Sequence, residues 1–338
     1  MLKKLLIIAG VIMAAVAGLA TTARADTTPP APVTNFQASY DVQNVYQEIH
    51  LSWVNPTDSD YAATRILEST EGFASSPEPS DTQNELYYDG TGTSFTDVPN
   101  LDSNGYVAGT FYYTAFAKDT SGNWSTPATV KITVRKPTSF CTWSEGRVSY
   151  GARASLLADL CSGNERLANK NVTFWQRSGA RWVKETPVVY GAPGYPRDYT
   201  VTTMPLTRNT TFQWRFNGDS EDLPAKSLSV KVRVHVALSR PLVGTAAKRR
   251  NVLFGIHGFL KPEPRGITRL YFGHYNRLKH KWIFTKSIQA KNTRYKSYAR
   301  YAARVRLGSA GSWRARAHHT DKQHAATWSK MTYFTVKK

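Results

Sequence analysis

Apolar and polar residues alternate in short runs along most of the chain. Ile49, Leu51 and Trp53 in "IHLSWV" are separated by polar residues, and Trp313 and Ala315 in "GSWRARA" follow the same rule. A period of two residues is typical of β-strands that bury one face. Turn-forming stretches such as "NPTDSD", "DTSGN" and "GSAGS" separate these runs, as they do in antiparallel hairpins. The pattern therefore predicts an all-β chain of tandem β-sandwiches.

The N-terminal segment departs from this alternation. Lys3 and Lys4 precede an apolar run of roughly 16 residues, which is shorter than the ~20 that a membrane span needs. The small-residue stretch "ARA" follows the run, which completes the three regions of a secretory signal peptide. We expect this peptide to cover residues 1–25 and to be cleaved before Asp26; the alternative is an uncleaved N-terminal anchor. The expected location is extracellular, either secreted or associated with the cell wall, with no stable membrane span.

Residues 26–136 carry several motifs in a fixed order. A proline-rich entry at Pro29, Pro30 and Pro32 is followed by "IHLSWVNP", by "TSFTDV" and by "GTFYYTAFAKDTSGNWSTPATV". In these motifs the segment resembles a fibronectin type III domain, which implies a β-sandwich that serves as a spacer or an adhesive module. Phe111 occupies the place where this family often has a tyrosine that hydrogen-bonds the preceding corner. The resemblance therefore does not carry that corner bond over to this chain.

The rest of the chain repeats itself at a spacing of about 100 residues. The stretch "RASLLADL" aligns with "LFGIHGFL", and Trp182 aligns with Trp282. This constant offset predicts two related sandwiches, at residues 137–237 and 238–338. They resemble the Ig-like repeats that accompany fibronectin type III modules in exported actinobacterial proteins.

The chain has two cysteines, Cys141 and Cys161. In an exported protein a pair of cysteines is more often bridged than free. If the chain reverses near Gly151, midway between them, two antiparallel strands would place the sulfurs side by side. We therefore expect a structural disulfide.

The sequence contains few residues that could support catalysis. It has no serine-elbow motif, no His-Glu-x-x-His pattern, no P-loop and no dinucleotide-binding glycine pattern. Glu263 and Asp321 are the only acidic residues of the last sandwich, and His257 lies on an alternating run where structural histidines are commoner than catalytic ones. Asp58 and Asp60 are expected in a solvated loop, since a hard cation takes six or more oxygen ligands. We expect no enzyme activity, no catalytic residue and no cofactor.

A cluster of histidines near the C-terminus raises a separate question. His318, His319, Asp321 and His324 are close enough in sequence to form a metal site or to lie in a turn between two strands. Adjacent residues on a strand face opposite sides, so His318 and His319 cannot both aim at one ion. His324 joins them only if the loop folds back. We expect the turn, with no metal.

Charge is distributed unevenly along the chain. Residues 26–134 hold 3 basic and 14 acidic residues, residues 135–237 hold 15 and 8, and residues 238–338 hold 23 and 2. Such an excess of positive charge makes a domain repel itself, which favours an anionic partner. A basic surface that is only solvated is the alternative.

The stretch "NTRYKSYARYAARVRLG" interleaves basic and aromatic residues within that last sandwich. Alternation predicts an inward face made of Tyr295, Ala299, Tyr301, Ala303 and Val305. The opposite face is the candidate polyanion-binding stripe, because cations spaced along a strand suit phosphate groups and an exposed aromatic ring suits stacking. The stripe comprises Arg294, Lys296, Tyr298, Arg300, Arg304 and Arg306.

These features lead to two main hypotheses about function. The first is a secreted, non-catalytic surface or wall-associated binding or adhesion protein whose basic C-terminal domain binds an anionic polymer. The second is a carbohydrate-binding accessory protein or the non-catalytic part of a wall-hydrolase system. An enzyme on a sandwich scaffold is a third, with no motif to support it. The expected partners are an anionic polymer or glycan of the cell surface, together with other surface proteins.

Overall fold

The structure is a computed structural model, and it describes nine stretches of the chain: residues 26–41, 48–80, 85–100, 106–144, 146–185, 188–192, 195–244, 248–262 and 266–338. The expected signal peptide and Glu263 lie outside the described residues. The described part is built of strands and confirms the all-β prediction. Within it, no helix is long and apolar enough to cross a membrane. Two compact units divide the chain, and Glu48–Val98 with Thr110–Thr133 belong to one, whereas Val134–Lys338 belong to the other.

The first sandwich has seven strands: β1 Thr34–Tyr40, β2 Ile49–Val54, β3 Tyr61–Ser69, β4 Glu85–Gly90, β5 Ser94–Asp97, β6 Gly109–Asp119 and β7 Ala128–Val134. They form one sheet in the order β1-β2-β5 and a second in the order β4-β3-β6-β7. This three-plus-four arrangement is the sandwich that the motifs imply. The inward positions that alternation predicts on β2 and β6 are buried.

Tyr113 makes a hydrogen bond between strands of the kind that Phe111, which has no hydroxyl, cannot make. Its ring is fully buried, and its hydroxyl donates to the carboxylate of Asp97 at the end of β5. Phe111 is also buried, but two residues earlier on β6. Because residues two apart on a strand share a face, Tyr113 can tie β5 to β6 while Phe111 packs in the core.

The second sandwich has eleven strands: β8 Ser139–Ser144, β9 Arg147–Ser149, β10 Ser155–Ser162, β11 Glu165–Arg166, β12 Val172–Ser178, β13 Arg181–Lys184, β14 Val189–Ala192, β15 Tyr195–Thr202, β16 Thr210–Phe216, β17 Ala225–Lys226 and β18 Val230–His235. One sheet contains β11-β10-β15-β14 with β8 paired to β10, and the other runs β13-β12-β16-β18-β9. The parallel pairing of β9 with β18 closes the second sheet. Both sheets contribute to one hydrophobic cluster, which includes the stacked rings of Phe174 and Phe212.

The third sandwich has ten strands: β19 Ala237–Leu238, β20 Leu242–Val243, β21 Lys248–Arg249, β22 Leu253–Lys261, β23 Ile267–Asn276, β24 Lys281–Tyr295, β25 Tyr298–Arg306, β26 Gly311–Thr320, β27 Thr327–Trp328 and β28 Thr332–Lys337. All ten belong to a single sheet in the order β19-β22-β25-β24-β23-β26-β28-β21, with β20 and β27 at its margins. The 15-residue strand β24 makes this continuity possible, because its first part pairs with β23 and its last part with β25. In the second sandwich the equivalent region is split into the short strands β13 and β14.

A serine at the entry to the last strand recurs in all three sandwiches. Ser125, Ser227 and Ser329 each accept a hydrogen bond from a buried backbone amide, that of Ala117, Trp214 or Ala317. Each hydroxyl also donates to the carbonyl oxygen of the next residue. The three serines are 102 residues apart, so this corner is repeated through the whole described chain.

The two cysteines lie on neighbouring strands but are not opposite each other. Cys141 of β8 pairs with Asp159, and Cys161 of β10 pairs with Ser139. The sulfur-bearing residues are therefore diagonal neighbours, typically ~7–8 Å apart at Cα, whereas a disulfide requires about 4.4–6.8 Å. Both are free thiols in the structure. The side-by-side placement was wrong by two residues of register, and the expected disulfide is not formed.

Candidate functional site

The candidate stripe lies largely on the outer face of β25. Arg300, Arg304 and Arg306 are exposed, whereas Tyr301 and Val305, which alternate with them, are buried in the core. This separation follows from the pleat, which sends successive side chains to opposite faces of the sheet. The structure therefore brings the three arginines into one row along a single strand, and Tyr298 begins the same strand on the same face.

The other three stripe residues surround the hairpin between β24 and β25. Arg294 is exposed near the end of β24, but it pairs with the buried Ala299 and therefore lies on the opposite face of the sheet from the arginine row, which corrects its predicted place in the stripe. Lys296 lies in the tight turn with a positive φ of 52°. Tyr298 is half-buried, with its ring edge-on to Phe259 at 5.3 Å between centroids. Tyr295, predicted to point inward, is 52% exposed. It pairs with Tyr298 at the hairpin end and so lies on the same face as Tyr298 and the arginine row, which makes the predicted inward position wrong.

Acidic side chains are scarce around this surface. Among the described residues of the third sandwich, Asp321 is the only acidic one. Its side chain is 6% exposed and accepts hydrogen bonds from His319 Nε2 at 3.0 Å and His324 Nδ1 at 2.8 Å. Because this carboxylate is buried and already paired, it does not neutralise the exposed arginine row.

The histidine cluster is a hydrogen-bonded turn between β26 and β27. His319 is fully buried, with Nδ1 at 3.0 Å from the hydroxyl of Thr268 and Nε2 on Asp321. His318 faces the opposite side and stacks on Trp328 at 4.1 Å between centroids. The loop does fold back, so that His324 reaches the Asp321 carboxylate. The ring nitrogens of His319 and His324 are thus engaged with oxygen atoms of the protein.

Asp321 has equivalents in the other two sandwiches, which explains its role. It accepts the backbone amides of Gln323 and His324. Asp219 accepts the amides of the second and third residues that follow it, and Asp119 accepts the amide of Asn123. Burial raises the pKa of Asp321, but the hydrogen bonds from His319, His324 and the turn amides outweigh it and lower the pKa overall. The aspartate therefore caps a repeated turn, and the histidines satisfy its remaining oxygen lone pairs.

The same turn joins the third sandwich to the second. His324 Nε2 donates to the carbonyl oxygen of Thr207 at 2.8 Å, and the amide of Ala325 donates to the carbonyl of Val234 at 2.8 Å. His235 adds a ring contact to the Thr327 hydroxyl at 3.1 Å. No sequence signal within the third sandwich could have shown this, because the partners lie more than 90 residues away.

An aromatic face lies on the outer side of β24, β23, β26 and β28, and the sequence analysis missed it. Trp282 packs against Tyr333 at 5.6 Å between centroids, and the guanidinium of Arg314 lies 5.0 Å from the Trp282 ring. Tyr333 and Phe284 are 63% and 62% exposed. We call this set the aromatic face: Tyr271, Tyr275, Trp282, Phe284, Arg314, Arg316, Trp328 and Tyr333. Its members come from these four strands and from β27, which carries Trp328, so alternation within one strand does not reveal that they meet.

The first sandwich contains a group of three carboxylates. Oxygens of Asp26, Asp60 and Asp119 lie within 4.8 Å of one another. Asp58, considered with Asp60 from the sequence, accepts the backbone amide of Ala31 at 3.2 Å. Three carboxylates are fewer than the six to eight oxygens that Ca²⁺ takes, so we assign no ion to this group.

Comparisons with known proteins add little beyond the fold. No family model matches the chain, and no curated protein matches it. Among solved structures, the chain is similar to a tetra-tandem repeat from the extending region of a large adhesion protein, with 11% identity and a TM-score of 0.39 over 90% of this chain and 74% of that one. It is also similar to the FN1–FN3 domains of chicken CNTN1, with 11% identity and a TM-score of 0.25 over 92% and 100%. A marsupial T cell receptor gives 13% identity and a TM-score of 0.35 over 89% and 100%.

Proposed function

We propose that this chain is a non-catalytic binding protein whose third sandwich binds an anionic polymer. The observation that carries the proposal is the exposed row of Arg300, Arg304 and Arg306 on a surface where the described residues offer no exposed acidic side chain. At about 3.4 Å per residue, Arg304 and Arg306 are about 7 Å apart along the strand, and Arg300 and Arg304 are about 14 Å apart with Ala302 between them. A row of this kind suits a linear polymer that carries several charges along its length.

The remaining parts of the chain fit a supporting role in this proposal. The first sandwich is acidic and resembles a spacer module, and the second joins the third through the hydrogen bonds around His324. Export by the predicted signal peptide would bring the basic sandwich to surface polymers such as phosphate-rich wall polymers or extracellular nucleic acid. Surface or wall association is part of the same proposal.

Salt dependence tests the proposal directly. Binding that neutralises polymer charges releases counterions, so the logarithm of the affinity falls linearly with the logarithm of the salt concentration. The intact protein should be retained on immobilised polyglycerol phosphate and on heparin, and it should elute as salt rises from low to moderate concentration. Absence of retention on both polymers at low salt would refute the proposal.

The aromatic face supports a second candidate, which is binding to a neutral glycan. Exposed aromatic rings such as Trp328, Tyr333 and Phe284 present flat apolar faces on which sugar rings can stack. Binding of this kind depends weakly on salt, because it engages few charges. Retention on a neutral polysaccharide that persists at high salt, and that Tyr333→Ala with Phe284→Ala abolishes, would favour this candidate over the polyanion.

A further inference from the structure

A shallow cavity of about 450 Å³ lies on the outer face of the third sandwich, beside the arginine row. Small residues form its floor, with Gly255 on β22 and Ala302 and Ala303 on β25. A Cβ atom placed on Gly255 would meet no other atom within 4 Å. The cavity therefore exists because these positions lack large side chains, and a larger side chain at Gly255 would occupy it.

Cationic side chains form the walls of the cavity. Lys291, Arg300 and Arg304 line it together with His257 and Thr293. The strand register explains why they meet: Ala302 pairs with both His257 and Lys291, Arg300 pairs with Thr293, and Arg304 pairs with Gly255. Directly paired residues of antiparallel strands share one face of the sheet, so three positive charges surround one small-residue floor.

The structure supplies no counter-ion for these charges. None of Lys291, Arg300 and Arg304 forms an ion pair with an acidic group within the described part of the chain. The only acidic residue described in this sandwich, Asp321, is held by His319 and His324. Burial, and then the nearby charge of Arg300, lower the pKa of His257. The cavity is therefore a site of positive potential that is open to solvent.

We propose that this cavity binds a tetrahedral oxyanion, a phosphate or sulfate group carried on the polymer. The inference rests on the proposed function, because it names the chemical group that the polymer presents to this surface. Guanidinium groups bind such oxyanions through pairs of parallel hydrogen bonds, and a lysine adds a point charge. The hydroxyl of Thr293 offers a further donor. The four oxygens of a sulfate ester or a phosphodiester form a tetrahedron around the central atom, so that donors on β24 and β25 can approach them from several directions, whereas the two oxygens of a carboxylate lie in one plane.

The sharpest test fills the cavity without removing a charge. Gly255→Leu places an apolar side chain above the floor, and Thr335→Leu adds the same group at an exposed position on β28, on the other side of the sandwich. Binding of the full chain to heparin and to polyglycerol phosphate is measured at constant ionic strength, with chloride replaced stepwise by inorganic phosphate or sulfate. Thermal unfolding checks that each variant is folded. If Gly255→Leu does not fold, the double variant Arg300→Gln with Arg304→Gln tests the cavity in its place.

The proposal predicts that phosphate or sulfate displaces the parent protein more effectively than chloride does. Gly255→Leu should lose that preference and bind about tenfold more weakly, while Thr335→Leu behaves like the parent. If Gly255→Leu loses affinity for heparin alone, the group that the cavity binds is a sulfate. If it loses affinity for polyglycerol phosphate alone, the group is a phosphate. If folded Gly255→Leu binds as tightly as the parent, with the same anion preference, the cavity proposal fails while the proposed function stands. If the parent binds neither polymer, the proposed function fails and the cavity proposal fails with it.

Discussion

The imidazole of His324 donates from Nε2 to the carbonyl oxygen of Thr207, 117 residues earlier in the chain, at 2.8 Å. Its other nitrogen, Nδ1, faces the carboxylate of Asp321 at 2.8 Å. This one side chain therefore links the capped turn of the third sandwich to a loop of the second.

Replacement of Asp321 tests the importance of that turn. Asp321→Ala removes the acceptor of two backbone amides and two histidine rings, so we expect the free energy of unfolding of the second and third sandwiches to fall by about 2–3 kcal/mol. Denaturant unfolding of the full chain measures the change. Gln323→Ala is the matched control, since this exposed residue contributes backbone groups that the substitution keeps: its amide donates to Asp321, and its carbonyl oxygen accepts the amide of Asn209. Equal stability of the two variants would show that the cluster is dispensable.

The pH dependence of stability should report on His319. Burial lowers the pKa of this ring below the ordinary value of 6.5, although Asp321 acts in the opposite direction. The unfolded chain therefore binds the proton more tightly, and stability that is present above about pH 6.5 is lost as the pH falls below it. His319→Gln keeps a donor and an acceptor without titrating in this range. Between pH 6.5 and 5 we expect the free energy of unfolding of the parent to fall more than that of this variant. Parallel curves of unfolding free energy against pH would contradict the role given to His319.

The repeated serine corner predicts similar effects at two distant sites. Ser227→Ala and Ser329→Ala each leave a buried amide without its side-chain acceptor, which costs about 1–3 kcal/mol. The buried amides belong to Trp214 and Ala317. Chemical unfolding of each variant measures the change, with the exposed Ser297→Ala as control. A change at one corner and none at the other would show that the two are not equivalent.

Local alternation predicted much of this structure because it depends on one strand at a time. The inward residues of β2, β6 and β25 were found from the sequence, and so were the opposite sides of His318 and His319. Tyr295 and Arg294 were misassigned because the two-residue turn of Lys296 and Ser297 reverses the alternation between β24 and β25: Tyr295 pairs with the outward Tyr298, and Arg294 pairs with the buried Ala299. Alternation gives the face of a residue within one strand but does not carry across a turn.

Features that depend on pairing between strands were not predictable in the same way. The cysteine placement failed by two residues, because the register of β8 on β10 is set by packing along both strands and not by the position of one glycine. The aromatic face could be found only with five strands placed in a known order, and the His324 contact only with the second sandwich in place. The basic cavity likewise appears only when Gly255, Arg304 and Lys291 are placed on neighbouring strands.

In the first sandwich, the pKa of Glu68 predicts a loss of stability at high pH, which is opposite in direction to the effect of His319. Burial, followed by the charges of Asp97 and Glu85, raises the pKa of this carboxyl from 4.5 to about 7. The folded state therefore holds the proton more tightly, and stability present below about pH 4.5 is lost as the pH rises through 7. Glu68→Gln should be more stable than the parent at pH 8, by up to about 3 kcal/mol. Burial also raises the pKa of Asp97, which the variant retains, so the difference between the two curves reports Glu68 together with its interaction with Asp97. A difference that does not vary with pH would contradict this account.

The central claim is that the stripe on β24 and β25 binds polyanions through its charges. The most direct measurement compares the salt dependence of binding to polyglycerol phosphate for the parent and for a variant with serine at Arg294, Lys296, Arg300, Arg304 and Arg306. A control variant carries serine at five other exposed basic residues of the same sandwich: Arg240, Arg269, Arg277, Lys279 and Lys281. We expect the stripe variant to flatten the log–log salt slope by about 3 units and the control to change it by less than about 1. Equal slopes for the stripe variant and the parent would contradict the account.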